Sequence, residues 1–484
     1  MRNEPDYFET LDPQDWESSK ALMHQMVDDA FDYIQKVRDR TIWQEMPESV
    51  LDHFRTGLPP DPQSAEAVYE ELKENVLPYP MGNIHPRFWA WYMGNGTVSG
   101  VMGDFWASVL NPNLGGGMHA AHKVEEQVIQ WISEILGFPK SASGLLVSGG
   151  SMANFAALAV ARNTQAGYDL RAEGIRTNDF VFYGSQEVHS CNVKAMELLG
   201  LGTKSLKKIM VNPDYSIHIP SLVDQIRRDR EQGLRPLGVI GSSGTVNTGA
   251  IDDLEALANL CEKEGLWFHV DGAIGAVAML SDAVSPLLKG IQRADSVALD
   301  LHKWLHMPFE AGCVMIRDKA AHKDTFSLIP EYLAKNTRGV ASGENWFSEY
   351  GLQLSRRFRA LKVWMSLKEH GSRRFGRMIA RNVEQAQYLG SLVEGHPHLE
   401  LVAPIGLDIV CLRYNPGTLS QDELNAINKE IKLQLEERSV ALPDYTTLQG
   451  QYCLRCAISS HRVTHTDFEE FVDKVVEIGS GLIV

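Results

Sequence analysis

The sequence has no long hydrophobic run, and this absence limits what the chain can be. In its 484 residues, no stretch approaches the roughly 20 consecutive apolar residues that a membrane-spanning helix requires. Its first seven residues, Met-Arg-Asn-Glu-Pro-Asp-Tyr, contain no apolar segment of the kind that directs secretion. We therefore expect a cytoplasmic protein with no membrane partner.

Cysteine and net positive charge are also scarce. The six cysteines are scattered through apolar surroundings, which favours reduced, buried side chains over a disulfide framework. Lysine and arginine total 46 against 62 aspartate and glutamate residues, for a net charge of −16. Because nucleic acids and anionic membrane surfaces repel such a chain, we expect neither as a partner.

What the chain does have is a regular alternation of strand-like and helical patterns over residues 143–304. Such alternation predicts a parallel sheet with helices on both faces, which is an α/β architecture. Helical spacing over residues 14–39 predicts an arm whose core is too small to stand alone. The three units that we expect are an N-terminal helical arm (1–88), a large α/β domain (89–371) and a small C-terminal α+β domain (372–484).

Two of the strand-like runs end in ionisable side chains. One run passes through Val270 and ends at Asp271, and the other passes through Leu299 and precedes His302 and Lys303. The carboxyl ends of parallel strands meet at one edge of a sheet, so Asp271 and Lys303 can share a site there. Pyridoxal phosphate needs this pair, because a lysine amine binds its aldehyde as a Schiff base and a carboxylate keeps its pyridine nitrogen protonated.

A glycine-rich turn at residues 148–151, Ser-Gly-Gly-Ser, follows an apolar run and precedes a helix. Glycines let the backbone approach an anion, and the start of a helix supplies free N–H groups. The Gly-Lys-Ser/Thr ending of a nucleotide-binding loop is missing, so the phosphate of a small cofactor fits better. His189, at a strand-to-helix turn, is either a surface histidine or a ring that stacks on a flat cofactor.

Two further patterns leave alternatives open. His119, His122, Glu125 and Glu126 could share a helix face that binds a metal, although their spacing is not His-Glu-x-x-His. Capping and packing at a helix start is the competing interpretation, and we expect no metal. The aromatic run at residues 88–92 fits either a core or the wall of a pocket for a flat substrate.

Taken together, these motifs resemble the group II pyridoxal-phosphate-dependent amino-acid decarboxylases, the family of aromatic-L-amino-acid (DOPA) decarboxylase and its bacterial relatives. The resemblance covers nearly the whole chain, with motifs in matching order at residues 148–154, 188–190, 244–245, 269–273, 302–304 and 356–362. It implies pyridoxal 5'-phosphate as cofactor and the fold-type I, aspartate-aminotransferase-like architecture. It also implies a homodimer with active sites at the subunit interface and the N-terminal arm packed on the partner subunit.

Carried over by matching position, the resemblance implies a role for each site residue. Lys303 forms the Schiff base, Asp271 pairs with the pyridinium nitrogen, and His189 stacks on the ring and assists the reaction. Further cofactor contacts are implied at Gly150, Ser151, Thr245, Ala273 and His302. Substrate contacts are implied at Trp89, Ala90 and Phe347.

The sequence departs from the family pattern at two places. Asp300-Leu301 replaces Asn-Pro before His302, and a carboxylate beside a phosphate is repelled unless it is paired, so Asp300 is not assigned to the cofactor. Counting back from Arg356 puts Phe347 where relatives carry a catalytic tyrosine that protonates the substrate carbon. Tyr350 lies three residues later, and a gap in the loop would let it take that catalytic role.

We therefore expect decarboxylation of an L-amino acid to the amine and carbon dioxide. Trp89, Trp91 and Tyr92 favour an aromatic substrate. A first alternative is oxidative decarboxylation and deamination to an aldehyde, because phenylalanine at the position of Phe347 is associated with aldehyde synthases. A second alternative is a protein of the same fold that has lost activity and serves as a binding partner.

Overall fold

The computed structural model describes residues 10–328 and 335–483. The chain begins with helices and a two-residue strand, namely α1 (Trp16–Gln35), α2 (Glu48–His53), α3 (Ala65–Asn75) and β1 (Phe88–Trp89). Asp15 caps α1 and Ser64 caps α3, each by accepting backbone N–H groups of the first turn. Within the described residues, α1 buries none of its side chains.

The central part of the chain alternates strands and helices around a sheet that has seven strands in the described residues. These strands are β2 (Ser143–Val147), β3 (Phe180–Ser185), β4 (Leu206–Ile209), β5 (Arg235–Ser242), β6 (Trp267–Asp271), β7 (Ser296–Asp300) and β8 (Gly312–Ile316). Their order across the sheet is β2-β8-β7-β6-β5-β3-β4. Among these described strands, β8 alone runs in the opposite direction to the other six, so the predicted mainly parallel sheet is confirmed.

Helices cover both faces of this sheet. They are α4 (Val98–Leu110), α5 (Ala120–Leu136), α6 (Gly150–Gln165), α7 (Leu170–Glu173), α8 (Ser190–Leu198), α9 (Ile219–Glu231), α10 (Leu254–Glu264), α11 (Lys319–Phe326) and α12 (Ala360–His370). The next helix, α13 (Ser372–Glu394), packs its second half into the core formed with C-terminal residues. Along β3, Val181 and Tyr183 enter one hydrophobic core while Phe180 and Phe182 enter the other. This alternation follows from the two-residue period of a strand, and it shows that both faces are buried.

A second, smaller sheet lies towards the C-terminus. It contains β9 (Leu399–Leu401), β10 (Ile409–Tyr414), β11 (Leu442–Leu448) and β12 (Gln451–Ala457), packed with α14 (Gln421–Glu437) and α15 (His465–Leu482). Its strand order is β1-β11-β12-β10-β9, with β1 parallel to β11 and the other pairs antiparallel. The expected α+β unit is therefore present, and it borrows the strand Phe88–Trp89 from the chain segment before the large sheet.

Helical spacing predicts one helix over residues 356–371, and in the structure this helix begins later, at Ala360. Arg356 is buried, and its guanidinium donates to the carbonyls of Leu114 and Leu146 and pairs with Glu125. These bonds fix the segment before α12 against the large sheet, so it does not continue the helical turn. Within the described residues every helix is too short or too polar to cross a lipid bilayer.

Candidate active site

A cavity of about 580 Å³ opens at the carboxyl ends of the parallel strands. Asp271 is the last residue of β6, and Lys303 follows the end of β7 by three residues. Because β6 and β7 are neighbours and Asp271 is in register with Ala298, the turn after β7 lies beside the end of β6. Both Asp271 and Lys303 line this cavity.

Asp271 is buried and held by an amide from the next helix along the sheet. Asn192 of α8 donates its side-chain N–H to Asp271 Oδ2 at 2.8 Å. The backbone N–H of Ala273 lies 3.4 Å from the other carboxylate oxygen, and Ala273 also lines the cavity. A carboxylate at this place is the kind of group that pairs with a pyridinium nitrogen.

Beneath Asp271 on the same strand, His269 is buried and bonded at both ring nitrogens. Its Nε2 donates to Asn154 Oδ1 at 2.7 Å, and its Nδ1 accepts from the Ser296 hydroxyl at 2.8 Å. Burial lowers the pKa of His269 to about 4, although the nearby Asp271 charge opposes that shift. His269 is therefore neutral near pH 7 and does not neutralise Asp271.

Lys303 forms an ion pair inside the cavity with Asp300. Its Nζ lies 3.0 Å from Asp300 Oδ2, and the Asp300 side chain is buried. Among the described residues, Asp300 Oδ1 has no hydrogen-bond partner. Asp300, which the sequence analysis did not assign to the cofactor, thus lines the cavity. Its pairing with Lys303 offsets the repulsion between its carboxylate and a bound phosphate.

The start of α6 forms a tight turn against the same loop. Gly150 and Ser151 line the cavity, and a Cβ on Gly150 would lie 2.8 Å from Asp300 Oδ2. A larger side chain there would displace the Asp300 carboxylate, so glycine keeps the start of the helix close to Asp300. The first N–H groups of a helix lack partners within it and suit an anion. His302 also lines the cavity, with its Nδ1 accepting the Ala311 N–H at 3.0 Å and its ring 4.4 Å from that of Phe309.

Two other predicted cofactor residues also line the cavity. His189 is the N-cap of α8, and its Nδ1 accepts the Cys191 N–H at 3.2 Å, so the proton of the neutral ring is on Nε2. Its side chain is open to the cavity, yet desolvation by the surrounding protein lowers its pKa. The Thr245 hydroxyl accepts the Ala250 N–H at 3.1 Å and thereby holds the turn after β5.

The structure contradicts the expectation that Trp89 and Ala90 form the wall of the pocket. Trp89 is fully buried in the core of the small sheet, with its ring 5.1 Å from that of Phe471. Ala90 is buried with the residues around Leu442. The backbone of Trp91 adopts a left-handed conformation (φ 51°), and the Trp91 side chain lines the cavity together with Tyr92.

Within one chain, Phe347 and Tyr350 lie outside this cavity, so their expected roles stay predictions that concern the subunit interface. Both lie in a short 3₁₀ turn and are buried against the large sheet. The Phe347 ring lies 4.5 Å from that of His122, and the Tyr350 ring lies 5.1 Å from that of His322. Burial, with a further contribution from the nearby Glu349 charge, raises the pKa of Tyr350 to about 12.

Arg455 is a cavity residue that the sequence reasoning missed. It lies on β12, fully buried, and donates from Nη1 to the Trp91 carbonyl. Among the described residues, its Nε and Nη2 have no hydrogen-bond partner. Asp444 on β11 is its cross-strand neighbour and lines the cavity beside it. The sequence feature that could have revealed it is an arginine within the apolar run Leu454-Arg-Cys456. A buried charge needs a partner or a ligand, so such an arginine is a candidate site residue.

The alternative metal site on α5 is not assembled. Glu125 is paired with Arg356, and His122 lies 3.6 Å from Glu126 and against Phe347. Over residues 10–328 and 335–483, no group of three or more His, Cys, Asp or Glu side chains is arranged to hold a metal ion.

The donor set of the cavity fits pyridoxal phosphate. Among the groups that line the cavity, a lysine amine suits the aldehyde, a carboxylate suits the ring nitrogen, and a glycine turn at a helix start suits the phosphate. The pyridoxal-dependent decarboxylase conserved domain matches residues 47–415. The chain therefore belongs to the pyridoxal-dependent decarboxylase family, and it is a pyridoxal-phosphate-dependent carboxy-lyase.

Individual relatives span nearly the whole chain. An aromatic-L-amino-acid decarboxylase of Bacillus atrophaeus is 35% identical over 463 residues, covering 95% of each chain. A phenylacetaldehyde synthase of Arabidopsis thaliana is 28% identical over 466 residues, covering 93% of each. The crystal structure of Oryza sativa TDC with PLP and tryptamine has the same fold, with a TM-score of 0.89 at 24% identity over 98% of this chain and all of that one.

The lowered pKa of His269 predicts how stability depends on pH. The unfolded chain takes up a proton at this histidine near pH 6.5, whereas the folded chain does so only at about pH 4. Its contribution to the free energy of unfolding is therefore complete above about pH 6.5 and is lost as the pH falls towards 4. Replacing His269 with Gln is expected to reduce the slope of unfolding free energy against pH by up to about 1.4 kcal/mol per pH unit between these values.

Urea unfolding followed by fluorescence from pH 4.5 to pH 7.5 measures this slope. The control is His24→Gln, because His24 is exposed on α1. A slope that is the same in His269→Gln as in the unchanged protein would contradict the neutral, buried state of His269.

Proposed function

We propose that this carboxy-lyase converts an aromatic L-amino acid to the corresponding amine and carbon dioxide. The observation that carries the substrate class is the cavity wall, where the half-exposed rings of Trp91, Phe309 and Tyr445 face the space next to Lys303. Such rings suit a flat apolar side chain. The relative from Bacillus atrophaeus, named for aromatic substrates, supports the same proposal.

We assign the cofactor contacts within the cavity as follows. Lys303 Nζ would hold the aldehyde carbon, the Asp271 carboxylate would pair with the ring nitrogen, and the start of α6 would bind the phosphate. The other residues assigned to the cofactor are Gly150, Ser151 and His302 at the phosphate, and Ala273, His189 and Thr245 around the ring. Bound pyridoxal phosphate supplies an electron sink for the carbanion that remains when carbon dioxide leaves.

Three side chains are assigned to handling protons and charge. Asp300 is a positioning residue, because its carboxylate holds the Lys303 ammonium at 3.0 Å and can accept a proton from it. His189 is assigned as the proton carrier for the substrate carbon, since its neutral ring lines the cavity with the proton on Nε2. Tyr350, the sequence-based candidate, is buried elsewhere in the same chain.

Arg455 is assigned to the carboxylate of the substrate. Its guanidinium is buried, lines the cavity, and has two nitrogens without a partner among the described residues. A guanidinium matches a carboxylate with paired hydrogen bonds, so it can orient the bond that breaks. Residues from both sheets thus line the cavity, with Lys303 after a strand of the large sheet and Arg455 on a strand of the small one.

We further propose that the enzyme is a cytoplasmic homodimer in which the expected units, residues 1–88, 89–371 and 372–484, act as arm, large domain and small domain. The arm exposes Met23, Val27 and Phe31 on α1, and α4 exposes Phe105 and Trp106. Apolar faces of this kind mark protein interfaces. Six free, buried cysteines agree with a reducing compartment.

Production of an aldehyde is the second candidate, favoured by Phe347 and by the Arabidopsis relative. The two reactions differ in their products, since the oxidative route consumes oxygen and releases ammonia and hydrogen peroxide. We expect amine and carbon dioxide in equal amounts from aromatic amino acids, without peroxide.

The same assay carried out with Lys303→Ala tests the site. Removal of the amine that holds the cofactor is expected to abolish carbon dioxide release and the visible absorbance of the bound cofactor. Lys194→Ala is the matched control, because Lys194 is an exposed lysine on α8. Peroxide and ammonia in stoichiometric yield would favour the aldehyde synthase, and full activity of Lys303→Ala would refute the assigned site.

The role of His189 is tested with asparagine, which keeps the capping acceptor of α8 and removes the ring. We expect His189→Asn to lower kcat by about a hundredfold, the lower end of what a positioned proton carrier contributes. His218→Asn is the control, because His218 caps α9 in the same way and does not line the cavity. An unchanged kcat in His189→Asn, with the cofactor bound, would contradict the assignment.

A further inference from the structure

A second cavity, of about 540 Å³, lies between the start of α4, helix α13 and the loop after β12. It shares no lining residue with the catalytic cavity. Four arginines line it, namely Arg374, Arg377, Arg381 and Arg462. The first three lie on one face of α13, because they are separated by three and four residues. We call this space the basic cavity.

The charges of these arginines are not balanced by acids. Over the described residues, no carboxylate lies within ion-pair distance of any of the four guanidiniums. Arg381 donates to the carbonyl of His461 at 2.7 Å, and Arg462 donates to the carbonyls of Ile84 and Asn95 at 3.3 Å and 3.2 Å. Glu369 is the one acidic residue in the described lining.

Histidines add donors to the same cavity. His306 is fully buried and lines it, and the Asn95 N–H donates to His306 Nδ1 at 3.1 Å, so the neutral ring carries its proton on Nε2. Among the described residues this Nε2 has no hydrogen-bond partner. The ring of His461 meets that of His306 edge-on at 4.8 Å. A buried N–H donor without an acceptor is costly, and an anionic oxygen would satisfy it.

The electrostatic environment of the two rings agrees with this description. Burial is the largest cause that lowers the pKa of His461 to about 4, and the positive charges of Arg462 and Arg381 lower it further. The same causes, with His461 added, lower the pKa of His306. A negative charge placed in this field would be stabilised by several unpaired cations.

We propose that the basic cavity binds a small polyanion that carries phosphate or carboxylate groups. Guanidinium groups match both kinds of group with paired hydrogen bonds, and a volume of about 540 Å³ falls in the range of small-molecule sites. The cavity lies behind the turn that carries the catalytic lysine, because the His306 N–H donates to the Lys303 carbonyl at 3.0 Å. The ligand is thus held at a site distinct from that of the cofactor and substrate.

Calorimetric titration of the full-length holoenzyme with pyrophosphate and, separately, with citrate tests this proposal. The holoenzyme is used because its catalytic phosphate region is filled by the cofactor. At an ionic strength of about 0.15 M, we expect saturable binding of one anion per chain. Arg377→Glu is expected to weaken it by about tenfold or more, because a charge-assisted contact is lost and a repulsive charge is added.

Arg373→Glu is the matched control, because Arg373 is an exposed arginine on the same helix that does not line the cavity. Binding that survives Arg373→Glu and Arg377→Lys but is lost in Arg377→Glu supports the site, with circular dichroism confirming that each variant is folded. Tighter binding of pyrophosphate assigns phosphate groups to the ligand, and tighter binding of citrate assigns carboxylates. The absence of saturable binding, or equal weakening by Arg373→Glu, would overturn the proposal.

Discussion

Adjacency of two parallel strands, β6 and β7, underlies the chemistry of this protein. Each strand ends at the same edge of the sheet, so the carboxylate of Asp271 and the amine of Lys303 line one cavity. In an alternating α/β fold, the helix that follows a strand begins near that edge. The glycine turn before α6 and the histidine that caps α8 are brought there for the same reason. One topological feature therefore gathers the groups that a pyridine ring, an aldehyde and a phosphate each require.

The charges at this edge are arranged so that each acid has a partner. Asp271 is bonded by Asn192, and Asp300 is paired with Lys303. Burial keeps His269 neutral, so it leaves the negative charge of Asp271 available to a pyridinium nitrogen. Part of the cavity wall comes from the small sheet, where the strand pairing of β11 and β12 sets Arg455 beside Asp444. Residues that follow strands of the large sheet and residues on strands of the small sheet therefore line the same cavity.

Local patterns in the sequence were sufficient for the main sheet and for the cofactor edge. These patterns are the apolar runs that end in Asp271 or precede Lys303, and the Gly-Gly turn before a helix. Each can be recognised from residues that are close together in the chain. The antiparallel strand β8 was not predicted, because a short apolar run does not reveal its direction or its partner. Helix α12 was predicted too long, since the bonds of Arg356 to distant carbonyls end the helical pattern.

The substrate side of the cavity could not be derived in the same way. Trp89 and Trp91 are two residues apart, yet one enters the core of the small sheet and the other turns outwards through a left-handed backbone. Counting residues back from Arg356 compared Phe347 and Tyr350 with the positions of relatives. It could not reveal the buried contacts of both side chains against the large sheet, which come from distant residues. Arg455 was missed because its place in the cavity depends on pairing between β11 and β12 and on the packing of two sheets.

The most direct test of the central claim is a crystal structure of the enzyme soaked with pyridoxal phosphate. The account predicts continuous density from Lys303 Nζ to the aldehyde carbon, with the Asp271 carboxylate within hydrogen-bond distance of the ring nitrogen. A cofactor bound elsewhere, or a ring whose nitrogen faces away from Asp271, would contradict it.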